Sequence, residues 1–356
     1  MLIMRVTHIV WSLATGGVET MLVNIINEQV KFIKVQLIIV NDNVEPSLIS
    51  KISNSCNVVK IKRKPSSRNY FDIIKVNLHL LKFSPDIIHL HSTNLSKLII
   101  GNRCLVRTIH NTHNPTDEYP KMKALYAISK AVKDYTANQG FHNVIVVENG
   151  ISSDTFRKKE SFKTDFYNLV QVSRLYKVSK GQHILLKALN VLVNERKVCN
   201  FHMYFIGEGP SRAEYEDMVK KFHLERFVTF EGKKTQDYLF EHLCDFDIAI
   251  QPSTHEGFGL TVAEAIAAKV PVLVSNIEGP MEIIDNGKYG MHFKKGDIID
   301  LADKLETILK GGYDYSMISP AYEHIKEKFD VSVTAKRYLG EYKKLLKNNG
   351  RRIIIA

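Results

Sequence analysis

The chain has 356 residues, 44% hydrophobic and 24% charged, enough to bury large cores in two domains and too apolar for wholesale disorder. Its net charge is +11, and residues 1–150 hold 18 Lys/Arg against 10 Asp/Glu, so most of the excess sits in the first half. Four cysteines, Cys56, Cys104, Cys199 and Cys244, lie far apart with no CxxC pair, which fits a reducing cytosol and excludes a disulfide framework and a zinc knuckle.

The N-terminal run is apolar, but Arg5 and His8 interrupt it, so it reads as a first strand rather than a signal peptide. No window reaches the roughly 18 apolar residues of a membrane helix. The expectation is a soluble or peripheral protein of the cytoplasm. Short β-branched runs then alternate with helical periodicity, the pattern of a parallel sheet flanked by helices. In the first half the predicted strands are 5–11, 35–40, 58–61, 87–91, 106–110, 125–128 and 144–147, with helices at 18–29 and 71–83. A second series follows, with strands at 168–172, 201–207, 228–232, 248–251 and 270–275. Its helices fall at 181–194, 211–222, 236–244, 261–268 and 299–310. A linker at 161–165 and a late amphipathic helix near 332–346 give domains of 1–160 and 161–330. Residues 331–356 form a terminal helix packing back on the first domain, with a frayed end from 348. The fold class is α/β with two doubly wound domains, and ligands of such sheets bind at the carboxyl ends of the strands.

The densest basic cluster is Lys60-Ile-Lys-Arg-Lys64, with Arg68 close behind. Such a patch suits an anionic membrane surface, a phosphorylated acceptor or nucleic acid, and equally a solvated face. Only Tyr70 and Phe71 interleave with it, and no nucleic-acid module accompanies it, so no nucleic-acid partner is expected.

The strongest motif lies between a strand and a helix: Glu256-Gly-Phe-Gly-Leu-Thr-Val-Ala-Glu264. Gly257 and Gly259 permit tight turns, and the amides that follow through Phe258, Leu260 and Thr261 can receive phosphate oxygens at a helix start. Glu256 precedes the helix and Glu264 lies one turn inside it, so the two do not form a stripe on one face. Either carboxylate can accept hydrogen bonds from neighbouring sugar hydroxyls.

This segment resembles the Glu-x7-Glu signature of the GT-B fold retaining glycosyltransferases of group 1, the glycogen-synthase-like family 4. The resemblance spans nearly the whole chain. It includes Gly16-Gly17-Val-Glu19, Pro85-Asp-Ile-Ile-His-Leu-His91, Thr108-Ile-His110, Glu148-Asn-Gly-Ile151, Val172-Ser-Arg-Leu175 with Lys180-Gly181, Ile206-Gly-Glu-Gly-Pro210 and Glu278-Gly-Pro-Met-Glu282. It implies two Rossmann-like domains facing across a cleft, a nucleotide-sugar donor held mainly by the second, and no required metal or other cofactor.

On that resemblance Arg174 and Lys180 neutralise the departing diphosphate, Glu256 binds sugar hydroxyls and Glu264 the ribose. Lys177 competes with Lys180, which is favoured because Gly181 follows it. Gly207 is placed near the base or ribose, and His110 orients the transferred sugar. Gly16 and Gly17 open a helix and can present amides to phosphate, while Glu19 either binds acceptor or caps the helix. His89, His91, His110 and His113 have spacings open to metal ligation, but the pairs end different strands and no Cys or carboxylate cluster joins them. The expected reaction is front-face transfer, with retention, of a hexose or N-acetylhexosamine from a nucleotide diphosphate sugar, UDP foremost. The acceptor is a glycan or lipid-linked glycan of bacterial surface-polysaccharide assembly, with peripheral contact at the inner face of the plasma membrane. The alternatives are a nucleotide-sugar epimerase or hydrolase of the same fold, and a non-catalytic nucleic-acid or scaffold protein.

Overall fold

The computed structural model describes residues 2–14, 16–64, 67, 69–112, 115–162, 165–348 and 353–354. His113, Arg68 and parts of the 161–165 and 348–356 stretches lie outside the described residues. The chain forms two compact units, Met1–Ile151 with Asp330–Ala356, and Ser152–Phe329.

The first unit is built on a seven-stranded parallel sheet. Its strands are β1 (Arg5–Val10), β2 (Lys34–Asn41), β3 (Asn57–Arg63), β4 (Ile87–Leu90), β5 (Leu105–Ile109), β6 (Ala124–Ala127) and β7 (Val144–Val146), in the order β3-β2-β1-β4-β5-β6-β7. β2 shows why it is central: six consecutive residues are buried, as a parallel strand covered on both faces requires. Alternate residues supply the two covers. Val35, Leu37 and Ile39 join the core under helix α1 (Gly17–Gln29), while Ile38 and Val40 join the core under helix α2 (Tyr70–Phe83).

The last helix, Val331–Asn348, belongs to this unit and packs beside α1. Tyr338, Leu339, Tyr342 and Leu346 are buried in the α1-side core. The tyrosine hydroxyls also reach the sheet, Tyr338 bonding Thr108 at 2.9 Å and Tyr342 bonding His89 at 2.5 Å. Val331 N donates to Ile151 O at 2.9 Å, so the returning chain is fastened where the outgoing one leaves. The end read as frayed contributes a short parallel pairing, Ile353–Ile354 with Leu2–Ile3.

The second unit repeats the plan with six parallel strands: β8 (Tyr167–Val172), β9 (Phe201–Ile206), β10 (Val228–Gly232), β11 (Ile248–Gln251), β12 (Val272–Ser275) and β13 (Met291–Phe293), ordered β10-β9-β8-β11-β12-β13. Both sheets therefore start with the doubly wound order 3-2-1-4, which reverses beside the first strand. The two units divide nine residues before the boundary read from sequence, because the charged run after Ser152 packs on the second unit. Phe156 meets Phe240 edge-on at 4.8 Å, Arg157 donates to Glu241 O at 2.7 Å, and Lys159 pairs with Asp247 at 2.9 Å. The helix expected at 181–194 is interrupted at its start, where Gly181 is left-handed (φ 71°), and passes into a π-turn at Val191–Glu195. β13 and the helix Ile318–Phe329 are elements without a counterpart among the predicted ones.

Among the described residues no helix is long and apolar enough to cross a membrane.

Candidate functional site

In the second unit the chain leaves β8 into the turn Ser173-Arg174-Leu175. The neighbouring strand-end loop is stitched to it: Ser173 N donates to Ile206 O at 3.0 Å and Leu175 N to Glu208 O at 3.1 Å. Gly207 (φ 142°) sits where any Cβ would strike the Ser173 carbonyl, so this glycine is required for the two loops to meet. Buried Gln182 fastens the same turn, its Nε2 donating to Ser173 Oγ at 2.8 Å and Arg174 O at 3.0 Å. Arg174 itself is exposed, its guanidinium 5.8 Å from the Tyr176 ring centre, and no carboxylate pairs with it among the described residues. A cation so placed is available to an anionic ligand.

Lys180 ends the next short turn, and its Nζ lies 2.5 Å from Glu256 Oε2. The two loops carrying this pair are also joined through their backbones. Gln171 Nε2 donates to Lys180 O at 2.9 Å, Thr254 N donates to Ser179 O at 2.9 Å, and a Cβ on Gly181 would strike the Pro252 carbonyl. Gln251 Nε2, 3.4 Å from Glu256 Oε2, supports the carboxylate from behind. Lys177, the competing lysine, is instead paired with Glu214. Among the described residues Arg174 is not seen bonded to Lys180 or Glu256, its guanidinium lying over Tyr176 instead.

After Glu256 the chain runs through Gly257 and Phe258 to Gly259, which caps the helix Leu260–Ala267 in a left-handed conformation (φ 106°). The Phe258 ring is buried edge-on against Phe329, centroids 5.5 Å apart, so the ring belongs to the core and not to a ligand wall. Gly279 and Pro280 pack on this loop, Gly279 so closely that a Cβ would lie 2.6 Å from Glu256 O. The helix start at Leu260 and Thr261 has no side-chain cap. Glu264, one turn in, accepts from Gln236 Nε2 at 3.0 Å. Burial pushes its carboxyl up to about 7, against a weaker downward pull from Gln236. The two glutamates thus have separate partners and separate electrostatics.

Gly16, Gly17 and His110 lie on the first unit. Gly16 is extended (φ −169°) and precedes α1, whose N-terminus likewise has no side-chain cap. Glu19 turns back onto its own amide, close enough to Gly16 to meet any Cβ added there, so its carboxylate serves the helix start. Burial raises its pKa above the usual carboxylate range.

His110 follows β5 and ends a buried hydrogen-bonded chain that the sheet order creates. Gln29 Oε1 meets His8 Nε2 at 2.8 Å, His8 Nδ1 meets His91 Nε2 at 2.9 Å, and His91 Nδ1 meets His110 Nε2 at 3.3 Å. With Gln29 accepting through Oε1, each histidine in turn donates from Nε2, and His110 Nδ1 is left as a bare lone pair. That buried nitrogen has no hydrogen-bond partner among the described residues. Burial holds His8 and His110 at about 4 and His89 and His91 well below the usual histidine range, so all four are neutral at neutral pH. The ligand nitrogens of His8, His89 and His91 lie within 4.8 Å of one another, a grouping that sequence spacing hid. All their ring nitrogens are already hydrogen-bonded, His89 to Tyr342 and Thr108, so a metal ion would have to break that network.

Sequence reading missed the glutamines behind the charges: Gln171, Gln182, Gln236 and Gln251. The signal was present at Gln171 and Gln251, since an amide within or ending an apolar strand is buried only with a polar task. It missed Gln29 and His8 for the opposite reason, that their partners lie far away in sequence.

Comparison with known proteins matches residues 152–327 to the family described as glycosyl transferases group 1, and residues 15–155 to glycosyltransferase family 4. The poly(ribitol-phosphate) alpha-N-acetylglucosaminyltransferase of Staphylococcus aureus is 27% identical over 201 residues, covering 55% of this chain and 40% of that protein. The N-acetyl-alpha-D-glucosaminyl L-malate synthase of Bacillus anthracis is 29% identical over 182 residues, covering 51% and 46%. The chain thus matches less than half the length of either relative. In fold, Anabaena Alr3699/HepE in complex with UDP and glucose superposes with a TM-score of 0.80 at 19% identity, over 96% of this chain and 100% of that one. A glycosyltransferase from Rickettsia africae gives 0.79 at 20% identity, over 97% and 99%.

Proposed function

Because the chain belongs to the group 1 glycosyltransferases of GT-B fold, we propose that it transfers a hexose or N-acetylhexosamine, with retention, from a UDP-sugar to a glycan or lipid-linked acceptor of a bacterial surface polysaccharide. The observation that carries this reading is the exposed Arg174, which no carboxylate pairs with among the described residues, on the same strand-end segment as the Lys180 that holds Glu256. A nucleotide diphosphate needs a cation that is not already neutralised, which Arg174 offers, and the transferred sugar needs a carboxylate held in place, as Lys180 and Gln251 hold Glu256. The poly(ribitol-phosphate) alpha-N-acetylglucosaminyltransferase of Staphylococcus aureus and the Anabaena complex with UDP and glucose support the same donor and acceptor classes.

In this reading Arg174 and Lys180 take the charge that develops on the leaving diphosphate, and no metal is required for it. Glu256 accepts from sugar hydroxyls and Glu264 from the ribose diol. The open helix starts after Gly16 and Gly259 offer amides, and the His110 Nδ1 lone pair accepts from a sugar hydroxyl. The acceptor hydroxyl attacks from the face that the diphosphate leaves, so Glu256 serves as a hydroxyl ligand and not as the nucleophile that retaining glycosidases employ. Thermal-shift measurements with UDP-, GDP-, ADP- and CMP-sugars test the donor, with protection by a UDP-sugar expected. Protection by none overturns the proposal. Nucleotide release that is as fast without acceptor as with a glycan acceptor overturns transfer in favour of hydrolysis or epimerisation.

A further inference from the structure

Helix α2 has two apolar faces, and the sheet uses only one. At about 100° per residue, Tyr70, Leu81, Ile74, Leu78 and Phe71 fall at roughly 0°, 20°, 40°, 80° and 100° around its axis. Val76, Leu80 and the other core-facing residues lie on the opposite side, between roughly 200° and 340°. The first five are all exposed: Tyr70 78%, Phe71 67%, Leu81 62%, Leu78 59% and Ile74 48%. A continuous stripe this apolar on a surface helix marks an interaction site, whereas scattered exposed apolar residues would need no explanation.

Cations border the stripe. Lys82, Lys75 and His79 follow it around the helix at roughly 120°, 140° and 180°. Lys60, on the edge strand β3, lines the same recess as Lys82 and His79. The sequence cluster at 60–64 is less uniform than it reads, because Arg63 turns onto Trp11, 5.4 Å from the ring centre, and bonds Asn41. What remains outward is a row of lysines beside large apolar side chains, with two aromatic rings at one end.

We propose that this face of α2 docks onto an anionic lipid bilayer, Tyr70, Phe71, Ile74, Leu78 and Leu81 entering the headgroup boundary while Lys60, Lys75 and Lys82 meet lipid phosphates. Charge decides between a bilayer and a second copy of the chain. A two-fold interface sets identical surfaces against each other, so this one would press lysines against lysines. Anionic headgroups complement them, and lysine stems and aromatic rings suit the interfacial depth. The proposal does not depend on the catalytic reading, since no residue of the stripe belongs to that site.

The test is flotation of the full-length protein with phosphatidylcholine vesicles and with vesicles carrying phosphatidylglycerol, without donor or acceptor. Binding is expected to the anionic vesicles and to weaken in high salt, and the triple variant Phe71→Ser/Ile74→Ser/Leu78→Ser should lose it about tenfold or more. Lys75→Glu/Lys82→Glu should weaken it several-fold, with circular dichroism and melting unchanged for both variants. Vesicle binding that is absent, or that survives both variants, overturns the proposal. So does light scattering that shows a dimer of the native chain which the triple variant dissociates.

Discussion

Lys180 and Glu256, 76 residues apart in sequence, share a 2.5 Å ion pair in which each side chain remains about a fifth to a quarter exposed. In a partly buried pair of this kind the desolvation cost offsets much of the attraction, so its net contribution to stability is only about 1 kcal/mol. Its value lies in holding an ammonium and a carboxylate ready at one place. Lys180→Gln and Glu256→Gln should therefore each leave urea unfolding nearly unchanged while lowering kcat by about 10²–10³-fold, with the double variant little worse than either. Steady-state kinetics on the three variants check this, and full turnover by Glu256→Gln would remove the site assignment.

Glu264 titrates where cells live. In the proposed ribose-binding role its carboxyl, pushed up to about 7 by burial, must be ionised to accept from two hydroxyls. Donor binding then favours the deprotonated form. Affinity for the nucleotide should be flat above about pH 7 and fall toward tenfold per unit below it, provided the donor phosphates are followed separately. Glu264→Gln should abolish that dependence. Calorimetric titration of UDP between pH 5.5 and 8.5 measures both.

The buried histidines make the first unit acid-sensitive. His8 and His110 are held at about 4, below the unfolded value of 6.5, so the unfolded chain binds more protons between those limits. Stability from each is complete above about pH 6.5 and is lost as pH falls toward 4, reaching about 3 kcal/mol per group. His89 and His91 shift in the same direction and add to the slope. Urea midpoints measured from pH 7.5 to 4.5 should fall, and the fall should shrink in His8→Asn.

The proton order along the histidines is a separate prediction. Nitrogen-15 spectra of histidine-labelled protein should show His8, His91 and His110 protonated at Nε2. Gln29→Leu removes the accepting oxygen that sets this order and should redistribute the tautomer at His110, at the far end of the Gln29–His8–His91–His110 chain.

Arg107 and Glu118 form a fully buried ion pair whose removal should threaten folding. They are 2% and 3% exposed and 3.3 Å apart, and Glu118 also accepts from Asn94 N and Ser96 Oγ. Glu118→Ala strands a guanidinium away from water and should cost about 3–5 kcal/mol. Equilibrium unfolding in urea reads it directly.

Most of the scaffold was legible because short continuous apolar runs rich in β-branched residues, set between helical stretches, write a doubly covered parallel sheet plainly into sequence. β2 and β8 are examples. β13 escaped because three residues, Met291–Phe293, are too few to show a period. Helix 318–329 escaped because its buried positions, Ile318, Ala321, Ile325 and Phe329, are diluted by polar and aromatic neighbours. The glutamates and lysines of the second unit could be singled out since they occupy strand-end loops with glycines. His8 could not, because it read as a flaw in an apolar strand. Its meaning depends on strand order, which brings β1 beside β4 and so His8 beside His89.

The tyrosines of the last helix bear on how the protein is made. Tyr338 and Tyr342 fill the core of the unit that residues 5–151 begin, and between them the chain builds all of Ser152–Phe329. A ribosome therefore delivers the second unit whole while the first still lacks a wall, and the earlier-made half must wait, partly open, for Val331–Asn348. Nascent chains halted near residue 330 should carry a protease-resistant 152–329 body on a still cleavable N-terminal half.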